Sequence, residues 1–64
     1  MTPTELKAIR QRYGLTQSEL ARILRIEDHR TIRRWEKGER AISGPATVLL
    51  ELMESGELPQ RYWD

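Results

Sequence analysis

The side chains best able to do chemistry are concentrated in HRTIRRWEKGER, residues 29 to 40, where four arginines, a lysine and a tryptophan share twelve positions. Clustered cations require water or a polyanion, whereas an indole requires burial. Helical spacing separates the two demands. Ile32 and Trp35 lie three apart and share one face, leaving Arg30, Arg33, Arg34 and Lys37 on the rest of the circumference, with His29 at the start. Only Glu36 interrupts the stripe, and like charges three and four apart weaken a helix modestly. A solvated face tolerates that arrangement; an anionic partner gives it a reason. Nothing comparable points to catalysis or metal binding. The chain has no cysteine, and its single histidine sits between Asp28 and Arg30 with no nucleophile beside it. Asp28 is better placed to cap a helix than to join Glu27 around a cation. The expectation is therefore a binding protein, not an enzyme, with no metal and no cofactor.

Length and charge narrow the partner. Sixty-four residues allow one small domain, which buries only about 60% of the surface its unfolded chain exposes. Self-association would help a chain of this size. The net charge of +1 conceals an asymmetry. Residues 1–42 hold ten Lys/Arg against six Asp/Glu, a balance of +4, and residues 43–64 hold one against four, a balance of −3. The basic part should face an anion and the acidic part should face away. The longest apolar run, VLL at 48–50, is too short to span a membrane, and no signal-peptide pattern opens the chain. A soluble, cytoplasmic protein is expected.

The elements that would carry the basic stripe are legible from their ends. TPTE at 2–5 offers Thr2 as an N-cap, Pro3 at the first helical position and Glu5 to complete a capping box. Leu6, Ile9 and Tyr13 recur at helical spacing, and Gly14 can end the helix. TQSE at 16–19 repeats the box, and Leu20, Ala21, Ile23 and Leu24 give the second helix its apolar face. Asp28 can cap a third helix over 29–37 that Gly38 ends. Ser43 or Gly44 caps a fourth, with Pro45 in its first turn and Gly56 after its end. No strand pattern or repeat appears, so the fold class is all-α. A small Ala21 lets the third helix cross the second closely. A projecting basic helix held in this way fits the major groove of DNA, about 12 Å wide.

LTQSELARIL followed by TIRRWEKGER resembles the helix-turn-helix of the Cro and phage-repressor class, also called the XRE family. The resemblance rests on Thr16, Gln17, Ala21, Thr31, Ile32, Trp35, Glu36 and Gly38, and covers roughly residues 5–54. It implies a compact four- to five-helix, lambda-repressor-like fold with a helix-turn-helix at about 16–37, the domain spanning 1–56 and a tail 57–64. It further implies a sequence-specific regulator of prokaryotic or phage origin that binds a double-stranded DNA operator as a homodimer and acts as a repressor. Thr16 and Gln17 would then contact phosphate. His29, Arg30, Arg33 and Arg34 would read bases, an arginine fork matching O6 and N7 of guanine. Lys37 and Arg40 would hold phosphate. Two departures stand out. Arg25 occupies a position where the family usually has glycine, and a left-handed L-residue costs about 1–2 kcal/mol. IEDHRT also places one more residue before Thr31 than the common turn, predicting a different connection.

A second surface is also expected. VLLELM at 48–53 is apolar almost all round, and Leu58, Tyr62 and Trp63 follow. With Val48, Leu49 and Leu52 completing the core, Leu50 and Met53 are left over, joined by Tyr62 and Trp63. That surplus predicts a two-fold dimer interface. It also admits an antitoxin that binds a toxin protein and autoregulates its operon, a protein-interaction module, or a tail folded over its own protomer.

Overall fold

Threonine–glutamate pairs start the first two helices identically. In the computed structural model, which describes residues 1–64, α1 (Pro3–Arg12) begins where Thr2 Oγ1 accepts the Glu5 N–H at 3.1 Å and Glu5 Oε1 accepts the Thr2 N–H at 2.8 Å. Thr16 and Glu19 repeat both bonds, at 3.0 and 2.8 Å, to start α2 (Gln17–Ile23). The threonine backbone N–H, then its hydroxyl, holds each of Glu5 and Glu19 below the ordinary value of 4.5. A seven-residue α3 (Arg30–Glu36) follows, then α4 (Gly44–Ser55), capped by Ser43 Oγ and ended by Gly56 at φ 76°. A single turn, α5 (Gln60–Trp63), closes the chain. There is no strand, and no helix is long and apolar enough to cross a membrane. The architecture is the all-α, lambda-repressor-like arrangement expected.

Twelve buried residues, all apolar, form one core. Leu6 and Ile9 come from α1, Leu20, Ala21 and Ile23 from α2, Leu24 from the turn after it, and Ile32 and Trp35 from α3. α3 packs on both α1 and α2, and α4 on α1. Ala21 is 3% exposed, so the small side chain lies at the packed face of α2.

On α4 the expected facing is reversed. Leu50 and Met53, assigned to a dimer surface, are fully buried, and Val48, assigned to the core, is 55% exposed. The inward stripe runs through Ala46, Leu50 and Met53, spaced i, i+4 and i+7, with Leu49 and Leu52 half-buried on its flanks. Ala46, too small to signal a core position, sets that phase. Tyr62 and Trp63 also turn toward their own protomer. The Trp63 ring stacks at a tilt on Tyr13, 5.2 Å between centroids, and Tyr62 lies under the Arg25 guanidinium at 5.1 Å. Leu58 enters the core and the Tyr13 hydroxyl donates to the Met53 carbonyl. Most of the apolar surplus read from the sequence is thus taken up within one chain, with Val48 left exposed.

Candidate nucleic-acid interface

With about 100° per residue, Arg30 and Lys37 point directly away from the midpoint of Ile32 and Trp35, and Arg33 and Arg34 lie about 50° to either side. All four are exposed, while Ile32 is fully buried and Trp35 is 4% exposed. The opposite demands in this segment are met by opposite faces of one short helix. Lys37 closes α3, Gly38 follows at φ 72°, and Arg40 stands exposed in the next loop. Arg33, Arg34, Lys37 and Arg40 have no ion-pair partner, so their charge is directed outward.

What fixes this helix is the one acid in the stripe. Glu36 turns inward, its side chain 7% exposed, and takes both arms of an arginine fork from α1. Arg10 Nε donates to Oε2 at 2.6 Å and Nη2 to Oε1 at 3.0 Å. The third nitrogen, Nη1, donates to the Leu15 carbonyl at 2.9 Å, and Gln17 Nε2 donates to Glu36 Oε1 at 3.2 Å. One carboxylate therefore ties α3 to α1, to the start of α2 and to the turn between them. Bidentate geometry makes such a pair directional, and removing one partner of a buried pair costs about 3–5 kcal/mol. Arg10 and Glu36 were not singled out as positioning residues by sequence. They are 26 residues apart, and only the Trp-Glu pair of the motif hinted at the second.

The approach to α3 departs from the expected cap. His29, not Asp28, is the capping residue by position, with φ −61°, and its side chain makes no cap bond. Asp28 nevertheless acts one residue earlier: its Oδ1 accepts the Arg30 backbone N–H at 2.9 Å. The same carboxylate receives Arg30 Nε, at 3.1 Å to Oδ1 and 3.2 Å to Oδ2. These bonds, with the guanidinium first, hold Asp28 below its ordinary value, and Asp28 raises Arg30 in turn. Upstream, Arg25 adopts φ 61°, the left-handed conformation implied by its replacing glycine.

Of the residues assigned to DNA, Thr16, His29, Arg30, Arg33, Arg34, Lys37 and Arg40 are exposed, and Gln17 is half-buried with its amide engaged by Glu36. Leu50 and Met53 lie in the core, apart from this surface. Residues 6–51 match the family model described as helix-turn-helix. No curated protein and no solved structure matches the chain.

Proposed function

Because the chain belongs to the Cro and phage-repressor (XRE) class of helix-turn-helix DNA-binding regulators, we propose that it is a sequence-specific repressor reading the major groove with α3. The observation that carries this reading is the unpaired outward charge of Arg33, Arg34, Lys37 and Arg40 on a helix whose inner side is locked by Ile32, Trp35 and Glu36. Rigid placement matters because base contacts need side chains delivered at fixed depth in the groove. His29, Arg30, Arg33 and Arg34 supply the base readers, and Lys37 and Arg40 the phosphate contacts. Thr16 stands exposed at the start of α2, where its hydroxyl proton can turn from the Glu19 carboxylate to a phosphate. Gln17 retains a second amide N–H for the same purpose after bonding Glu36.

Repression is steric: an occupied operator is closed to polymerase. Since one chain carries one α3, a two-fold pair matches half-sites about 34–36 Å apart. Its interface excludes Leu50 and Met53, which lie in the core. The protein acts where its DNA lies, in the cytoplasm.

Titration of a duplex pool at increasing salt tests the reading. Affinity should fall with a log–log slope of about −0.9 per phosphate contacted. Lys37→Ala should make that slope shallower on every sequence. Arg33→Ala should instead relax preference at one base pair, a loss of about 1–3 kcal/mol on the favoured site. No duplex binding at low salt would overturn the proposal.

A further inference from the structure

Arg30 differs from every other cation on the outer face of α3 because a carboxylate holds it. Its Nε is occupied by both oxygens of Asp28, and its backbone N–H by Oδ1. Nη1 and Nη2 donate to nothing in the protein. The pair is exposed, 65% for the Arg30 side chain and 43% for Asp28, so the two free nitrogens lie on open surface. Arg30 also points squarely away from the core, at the end of α3 that enters a groove first.

We propose that Asp28 is a specificity residue: it orients the Arg30 guanidinium so that Nη1 and Nη2 read O6 and N7 of one guanine per half-site. The inference rests on the DNA-reading role of α3 proposed above. Three physical consequences support it. With Nε held, the guanidinium plane is set before binding, and less side-chain freedom is lost when the base is engaged. The remaining edge presents two parallel donors, the pattern that guanine alone matches with two acceptors in the major groove. The Asp28 charge, finally, opposes the phosphate backbone. It discourages Arg30 from settling on a phosphate, the contact that an unheld arginine makes on any sequence.

The carboxylate therefore strengthens binding to the right base while weakening binding to DNA in general. A residue that merely starts the helix would move both affinities together. Asp28→Asn separates the cases, because its amide oxygen still accepts the Arg30 backbone N–H while the charge is gone. Wild type, Asp28→Asn and Arg30→Lys are each used to select from a pool of random-sequence duplexes at one salt concentration. Circular dichroism checks that helix content is kept. The wild type should enrich guanine at one position in each half-site. In Asp28→Asn that preference should fall about tenfold, within the range for one bidentate base contact, while affinity for unselected duplex rises. Arg30→Lys, which keeps the charge but lacks the fork, should lose the same preference.

Unchanged guanine preference in Asp28→Asn would overturn the inference and leave the DNA-reading role standing. So would a parallel drop in specific and general affinity, or loss of preference at a neighbouring cytosine, which would mark Asp28 as touching a base itself. A wild type that binds duplexes but enriches no sequence would overturn sequence reading and the inference together.

Discussion

The two turns that border α2 contain residues in nearly the same left-handed backbone, Gly14 at φ 64° and Arg25 at φ 61°, yet they are built on opposite plans. At Gly14 nothing lies within 4 Å of where a Cβ would stand, so glycine is required only by its torsion angle. The side-chain work in that turn comes from elsewhere, through Arg10 Nη1 on the Leu15 carbonyl. In the second turn one residue does both. Arg25 takes the strained backbone and caps its own helix, Nη1 donating to the carbonyls of Arg22 and Ile23 at 3.1 Å each. Its Nη2 reaches the Arg61 carbonyl at 3.2 Å, and its guanidinium covers Tyr62. The left-handed cost is about 1–2 kcal/mol. Hydrogen bonds of about 0.5–1.5 kcal/mol each, at the low end for an exposed side chain, are enough to offset it. A left-handed turn thus holds here without glycine, because Arg25 fastens it to the tail.

The largest effect should come from the arginine that serves the first turn at a distance. Arg10→Ala leaves the largely shielded Glu36 carboxylate without its cation, which costs up to about 3–5 kcal/mol, a large share of the stability of any small domain. Urea unfolding followed by circular dichroism should show a mostly unfolded or strongly weakened chain. Replacing both partners, Arg10→Met with Glu36→Leu, should recover much of the loss, since no charge is then stranded. If Arg10→Ala unfolds at the wild-type denaturant midpoint, the network does not hold the helices as described.

An intermediate effect separates the two turns themselves. Gly14→Ala should destabilise by about 1–2 kcal/mol, through backbone strain alone, because the methyl group meets no neighbour. Arg25→Gly should lie within about 1 kcal/mol of wild type, relief of strain cancelling the lost contacts. Arg25→Ala keeps the strain and loses the contacts, so it should be the worse of the two. Equal stability of Arg25→Gly and Arg25→Ala would show that the backbone there is under no strain. Stabilisation of Arg25→Gly by the full 1–2 kcal/mol would show that the guanidinium bonds contribute nothing.

The same contrast marks what a sequence discloses. Both capping boxes and the helix-ending glycines are properties of three or four neighbouring residues, and each was readable from its own stretch, whereas the left-handed Arg25 was implied only by the family resemblance. The outward set of Arg30, Arg33, Arg34 and Lys37 was readable too, because Ile32 and Trp35 fix the phase of α3. On α4 no polar residue marks the outer face between 48 and 50, and the phase depends on a small alanine; hence Leu50 and Met53 were turned the wrong way. The bonds from Arg10 to Glu36 and from Arg25 to Arg61 join positions 26 and 36 residues apart. No local pattern encodes them, since they exist only once the core has brought the helices together.

The smallest effect distinguishes the two ends of α2 by pH. Its start depends on the Glu19 carboxylate, which the Thr16 backbone N–H and then the Thr16 hydroxyl hold below its ordinary value of 4.5. Its end depends on the hydrogen bonds from the Arg25 guanidinium to the Arg22 and Ile23 carbonyls, which involve no carboxylate. A depressed carboxylate contributes stability that is present in full above the unfolded-state value and is lost as pH falls through the folded-state value. The urea midpoint should therefore hold level from neutral pH to about pH 5 and decline below it. Glu5 caps α1 in the same way and titrates in the same window, so Glu19→Gln should remove part of the decline and not all of it. Arg25→Gly should leave the shape of the curve unchanged, whatever it does to its height. Wild-type and Glu19→Gln curves that ran parallel through the acid range would show that the second capping box adds nothing to stability. The start of α2 would then rest, like its end, on contacts made far along the chain.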